Sequence, residues 1–204
     1  MTSVSIRDVI AAVPAWTGRR VVSAPIAGGL TNRNFRVVVD GVPHFARIPG
    51  TATDLLAVDR GNELANTRAA AEAGVGARVL HHLAAWDVIV LEWLEAQTMS
   101  NTAFQRPGEP TRIAEALRRL HAGPRFRDDF DMVVLSARYL SLIDERGYAV
   151  PAGYREHLRA IPRIDAALRA RSLPTVPCHN DLLAENYLDD GQRLWIVDYE
   201  YSGN

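Results

Sequence analysis

Hydrophobic and polar positions change period along the chain, in an order that predicts a strand-rich N-terminal part and a helix-rich remainder. Ser5-Ile6-Arg7-Asp8 has the S-x-x-D form of a capping box, so a short amphipathic helix is expected to run to near Pro14. β-rich runs follow at Arg20 to Ile26 and at Phe35 to Val39. Asp40-Gly41 separates the second run from another at Val42 to Ile48, which predicts a tight hairpin. Leu55 to Ala73 has an Ala-rich helical pattern with Gly74 placed as a C-terminal cap. Strands are expected around Arg78 to Leu80 and Asp87 to Leu91. Residues 95 to 110 are polar, contain Pro107, Gly108 and Pro110, and read as a linker. Helices then follow near 111–122, 133–147 and 154–171, before short strands return around Thr175 to Cys178 and Arg193 to Val197.

These elements divide the chain into a sheet lobe over 1–94, a hinge and linker over 95–110 and a mostly helical lobe over 111–204. The 204 residues suffice for one large domain or two small ones. Hydrophobic residues at 48% and charged residues at 23% exclude a disordered or collagen-like chain. A formal net charge of -1 gives no reason to expect a nucleic-acid or acidic-membrane partner. No apolar run approaches the roughly 18 residues of a spanning helix, and the N-terminus has neither a basic start nor an apolar signal core. Cys178 is the single cysteine, so an internal disulfide is excluded, which fits a reducing cytoplasm. All 23 basic residues are arginine. Work that a lysine would do must here fall to arginine.

The chemistry is concentrated in Cys178-His179-Asn180-Asp181-Leu182-Leu183-Ala184-Glu185-Asn186 and in Trp195-Ile196-Val197-Asp198-Tyr199-Glu200. Phosphoryl transfer needs an acceptor for the substrate hydroxyl's proton and oxygen ligands for the Mg²⁺ that bridges the phosphates. Asp181 and Asn186 reproduce the D-x-x-x-x-N spacing of a kinase catalytic loop, with His179 two residues before the aspartate. Asp198 ends an apolar strand twelve residues after Asn186, and the oxygens of Asn186 and Asp198 suit a hard cation. Taken singly, each residue has an ordinary reading as a turn former or cap; the ordered set carries the information. A zinc site from Cys178, His179 and Asp181 is disfavoured, because neighbours on an extended strand point to opposite faces.

The same chemistry makes demands on the upstream part. Gly28-Gly29-Leu30-Thr31-Asn32-Arg33-Asn34 lies between two strands, where glycines let backbone N–H groups approach phosphates; Gly28, Gly29, Thr31, Asn32 and Asn34 are the candidates. Arg47 is the cation expected on the third strand, in the otherwise apolar Phe45-Ala46-Arg47-Ile48. Glu63 is the carboxylate chosen to meet it, with a solvent-facing pairing to Arg60 as the plainer alternative. Glu92-Trp93-Leu94 falls where composition changes and is expected to present backbone, at Glu92 and Leu94, to an adenine edge.

With Arg47-Ile48-Pro49-Gly50, Ala71-Glu72-Ala73-Gly74-Val75-Gly76, Leu117-Arg118-Arg119-Leu120-His121 and Asp198-Tyr199-Glu200-Tyr201 added, the chain resembles the choline/ethanolamine kinase branch of the aminoglycoside phosphotransferase family. That resemblance implies an α+β, two-lobe protein-kinase-like fold and an enzyme that moves the γ-phosphate of ATP to a small amino alcohol, choline or ethanolamine. It implies Asp181 as catalytic base beside His179, Asn186 and Asp198 on Mg²⁺, and Glu200 near the metal or a substrate cation. Arginine at position 47 is itself a feature of bacterial members of this branch. Tyr199 and Tyr201, with Trp93 and Trp195, are the aromatic faces present for a quaternary ammonium, although aromatics at such helix and strand spacing more often belong to a core. Thiamine or an aminoglycoside as acceptor, and a nucleotide-binding module without turnover, are the competing readings. Relatives continue past the Asp-Tyr-Glu-Tyr motif into further helices, so the chain is expected to be a fragment that lacks part of the acceptor pocket.

Overall fold

The computed structural model describes residues 4–27, 32–50, 58–171 and 173–204. Helix α1 (Ile6–Ala12) opens with the expected capping box, in which Ser5 Oγ accepts from the Asp8 N–H and the Asp8 carboxylate accepts from the Ser5 N–H. A 3₁₀ turn at Pro14–Trp16 follows. The sheet consists of β1 (Val21–Ile26), β2 (Asn32–Val39), β3 (Val42–Pro49), β4 (Val79–Leu83) and β5 (Val88–Glu92), in the order β1-β2-β3-β5-β4. Every pairing is antiparallel. The Asp40-Gly41 hairpin forms as expected, with both residues at positive φ, 48° and 89°. Val13, Trp16, Val37, Val39, Ala46 and Val90 pack α1 and the 3₁₀ turn onto one face of the sheet. On the other face Ala77, Ile89 and Leu91 gather with Leu64 of helix α2 (Arg60–Glu72).

The onset of α2 differs from the expectation. Asp59 caps it by accepting from the Asn62 N–H at 2.8 Å, so the helix starts at Arg60, while Leu55 lies outside the described residues. Its end is as expected, with Gly74 at φ +74° immediately after the capped turn.

Residues 95–110, read as a linker, hold strand β6 (Gln97–Thr98) and the one-turn helix α3 (Asn101–Phe104), which Ser100 caps. Helices α4 (Glu109–His121) and α5 (Met132–Arg146) come next. The single helix expected over 154–171 is broken into α6 (Tyr154–His157), a 3₁₀ turn at Leu158–Ala160 and α7 (Ile161–Arg169). Pro162 explains the break, since it lacks an N–H and belongs at a helix start. β7 (Tyr187–Asp189) and β8 (Leu194–Ile196) complete a small sheet with β6. The strand expected at Thr175 to Cys178 reduces to one bridge between Cys178 and Gly203, because Pro174 and Pro177 supply no ladder donors. Among the described residues no helix is long and apolar enough to cross a membrane.

The second core joins Met99, Ala116, Leu120, Phe126, Tyr187, Ile196 and Tyr199 with Ala70 and Val75, which belong to the end of α2 and the turn after it. α2 therefore packs against both lobes.

Gly203 pairs with Cys178 and lies against Phe130. A Cβ there would lie 2.9 Å from Phe130 Cβ and 3.0 Å from the Phe130 nitrogen, and neither can yield cheaply. Gly203→Ala is expected to destabilise the chain by about 1–3 kcal/mol, read as a lower urea midpoint at unchanged m-value.

Candidate active site

The segment that carries Asp181 is held by hydrogen bonds from both sides. Cys178 and Gly203 exchange N–H···O bonds of 2.8 and 3.0 Å. His179 is buried: its Nε2 bonds the Val197 carbonyl at 2.9 Å and its Nδ1 accepts from the Asp181 N–H at 3.2 Å. That pattern fixes the tautomer with the proton on Nε2. Burial pushes its pKa below the ordinary histidine value. Both ring nitrogens are thus engaged by backbone, and the Nδ1 contact ties His179 to the main chain of Asp181. Asn186 Nδ2 donates to the Asp181 carbonyl at 2.8 Å and to its Oδ2 at 3.1 Å. The main-chain carbonyl of Asn186 accepts from the Val197 N–H at 2.9 Å, next to Asp198.

Asn180 and Asp198 both sit in the left-handed region, at φ 66° and 70°. Asn180 is secured there by a 3.0 Å bond from its Nδ2 to the Tyr201 carbonyl. Asparagine and aspartate tolerate this region better than most side chains, yet two such residues flanking one site are backbone that the surroundings must impose.

Arg47 reaches this site from β3. It pairs with Glu63 of α2 on one side and with Asp198 Oδ1 at 2.7 Å on the other. Glu63 is only 3% exposed. The alternative pairing with Arg60 also occurs, at 2.7 Å, but it is buried and not solvent-facing. Arg60 further donates to Asn32 Oδ1 at 2.9 Å and lies 3.5 Å from Glu200, which in turn accepts from Asn32 Nδ2 at 3.3 Å. Burial and the like charge of Arg47 lower the pKa of Arg60, while Glu200 and Asp198 act the other way. One oxygen from each of Glu63, Asp198 and Glu200 lies within 4.8 Å of the others. Carboxylate oxygens so grouped are the donor set a hard divalent cation takes.

Asn34 stands opposite Arg47 in the sheet, and its Oδ1 is buried without a hydrogen-bond partner among the described residues. An orphan of this kind calls for a partner. Gly28, Gly29 and Thr31 lie outside the described residues. Glu92 turns its carboxylate to the Arg78 N–H and Nε, at 2.8 and 2.7 Å, so any contact it makes with a base is through its main chain. Leu94 packs against the Ala77, Ile89 and Leu91 cluster.

The aromatic expectations need correction. Tyr199 is a core residue, edge-on to His179 at 4.9 Å and to Phe126 at 6.0 Å, and is closed to a substrate. Trp93 and Trp195 are covered by Arg36 and Arg193 at 5.1 and 4.3 Å from their ring centroids. Tyr201 remains half-buried near the acidic groups, its phenol pushed up to about 12 by burial and then by Glu200. Arg60, Asn62, Asn66 and Ser202 belong to the site's framework and were missed, although Asn62, Glu63 and Asn66 recur at the three-to-four-residue spacing of one helix face.

The model of the phosphotransferase enzyme family matches residues 23–204. LicA of Haemophilus influenzae is 31% identical over 183 residues, covering 86% of this chain and 52% of LicA. A choline/ethanolamine kinase family protein from Mesorhizobium loti, of known crystal structure, is 40% identical with a TM-score of 0.79, covering 97% of this chain and 64% of that one. The choline kinase LicA from Streptococcus pneumoniae superposes with a TM-score of 0.80 at 22% identity, over 97% of this chain and 69% of that one, a likeness of fold. This chain thus spans between half and two thirds of the length of the curated LicA and of the Mesorhizobium loti protein. Its two-lobe α+β fold is protein-kinase-like, and the chain belongs to the phosphotransferase enzyme family, in its choline/ethanolamine kinase branch.

Proposed function

We propose that this protein is an ATP-dependent kinase that transfers the γ-phosphoryl group to the hydroxyl of a small amino alcohol of the choline or ethanolamine type. The observation that carries the reading is a chain of contacts: Asn186 holds the Asp181 carboxylate and is bonded through its carbonyl to Val197, and the next residue, Asp198, pairs with the buried Arg47. The relatives that bear choline and ethanolamine kinase names support the acceptor class.

In this reading the acceptor oxygen forms its bond to the γ-phosphorus while the bond from that phosphorus to the β-γ bridging oxygen breaks. The hydroxyl proton passes to the Asp181 carboxylate, which Asn186 holds through Oδ2 while His179 fixes the main chain of the same residue. Asn186 and Asp198, with Glu200 alongside, would hold the Mg²⁺, which when bound neutralises charge on the phosphate oxygens. The three-carboxylate grouping fits that ion. Arg47 would supply a planar fork to the phosphates where a lysine would supply a point charge. Tyr201, whose carbonyl accepts from Asn180 next to Asp181, would border the acceptor.

Two outcomes are expected. Asp181→Asn should lower kcat by about 10²–10⁴-fold, the range for a removed general base, while binding of Mg²⁺-ATP persists. Turnover assays with choline, ethanolamine, thiamine and an aminoglycoside check this and decide the acceptor; an unaltered kcat in the variant would sink the assignment of the base. Separately, Mg²⁺-ATP at about 100 times its Kd should stabilise the wild type by about 2.7 kcal/mol, seen as a raised melting temperature. Asp198→Ala should lose the Mg²⁺-dependent part of that rise. Clean melting of the wild type with no response to nucleotide would contradict the kinase reading.

A further inference from the structure

The face that α2 buries is polar where an ordinary helix would be apolar: its buried residues are Glu63, Asn66, Thr67 and Ala70. Asn66 is fully buried. Its Nδ2 lies 3.1 Å from the Ser202 carbonyl and 2.9 Å from Ser202 Oγ, and its Oδ1 accepts from the Arg127 N–H at 2.9 Å. Asn62, one turn earlier, donates a second bond to the Ser202 carbonyl at 3.0 Å and accepts from Asn66 at 3.1 Å. Ser202 stands four residues after Asp198, and its hydroxyl closes the intervening turn by donating to the Tyr199 carbonyl at 2.6 Å. Beyond the helix, the Val75 carbonyl accepts from the Ile196 N–H at 2.7 Å, so the turn after α2 is joined to the strand that leads to Asp198.

Apolar packing alone would allow α2 to slide, because burial of hydrocarbon is non-directional. Hydrogen bonds to one carbonyl and one hydroxyl allow a single register. The pairing of Arg47 with both Glu63 and Asp198 depends on that register, since Glu63 rides on α2 and Asp198 on the segment that Ser202 terminates.

We infer that Asn66 is a positioning residue: with Asn62 it latches α2 to Ser202, so that Glu63 and Asp198 keep one separation and α2 moves with the catalytic segment instead of swinging independently. The consequence for catalysis rests on the phosphotransferase reading above; the latch itself does not.

The test is hydrogen exchange and kinetics on the 204-residue chain carrying Asn66→Asp, which keeps the shape but replaces the donor amide by an acceptor facing the Ser202 carbonyl. Exchange should quicken together in residues 60–66 and 199–203, by about tenfold or more, with β1–β3 unchanged. Phosphoryl transfer from Mg²⁺-ATP should show kcat falling about 10–100-fold, as for a displacement of about 1 Å, with a much smaller change in KM for ATP. A role in stability alone would lower the melting temperature and leave kcat per folded molecule untouched. Ser202→Ala, which removes only the hydroxyl, should move both readouts in the same direction by less, and it judges the proposal if Asn66→Asp does not fold. Exchange that quickens in one segment alone, or an unchanged kcat in a folded variant, would overturn it. If the wild type phosphorylates no alcohol, the kinase reading fails by itself, and the paired exchange still decides the latch.

Discussion

Charge balance in one small volume governs the arrangement of this protein. Glu63, Asp198 and Glu200 bring three carboxylates together, two of them buried. Removing an ion from water costs several kcal/mol even after relaxation, and two unit charges 4 Å apart recover only about 4 kcal/mol at an effective dielectric of 20. Such a cluster exists only if cations are built into it. Arg47 and Arg60 fill that role from opposite sides, with Glu63 shared between them. Three carboxylates against two guanidiniums leave one formal negative charge. A divalent cation together with polyphosphate could enter such a site with little further rearrangement of charge.

The two arginines are not equivalent. Arg60 is tied to Glu63, Asn32 and Glu200, on α2, β2 and the segment after β8. Arg47 makes its other contact with Asp198, which is about one third exposed and is the carboxylate proposed to hold the metal. Phosphates would compete with Asp198 for Arg47, whereas Arg60 would stay and keep Glu63 compensated. In a chain without lysine this division has a physical basis, because a guanidinium stays charged in a dry site and can bridge two acceptors at once.

Local signals in the sequence led to most of the strands and helices. The capping box at Ser5, the Asp40-Gly41 turn and the Gly74 cap each depend on only a few adjacent residues, and each formed where expected. Errors arose where a short-range rule met a competitor. Pro162 divided a helical pattern, Asp59 set the start of α2 later than its hydrophobic pattern did, and two prolines cancelled a strand before Cys178. The D-x-x-x-x-N spacing brought Asp181 and Asn186 into contact, because a motif of fixed length is closed by its own backbone. Which tyrosine faces the core was not legible in this way. Tyr199 and Tyr201 stand two apart, so strand alternation would have placed both rings on one face; the turn that Ser202 closes on the Tyr199 carbonyl separates them instead.

The latch between α2 and Ser202 was hidden for a related reason. Asn62, Glu63 and Asn66 share one helix face, but polar residues at helical spacing ordinarily mark a surface exposed to water. Here that face is turned inward, and each of its groups meets a partner more than sixty residues away or on the facing strand: Arg127, Ser202 and Arg47. A buried polar face is tolerable only when every group on it is satisfied, and it then fixes register more strictly than an apolar face of equal area. Strand β3, α2 and the segment from Asp198 to Ser202 thus meet through directional bonds, while hydrophobic packing holds each lobe around them. An active site that must hold an arginine between two carboxylates on different elements has a use for that strictness, and it is at this junction that the hydrophobic pattern of the chain ceases to describe the fold.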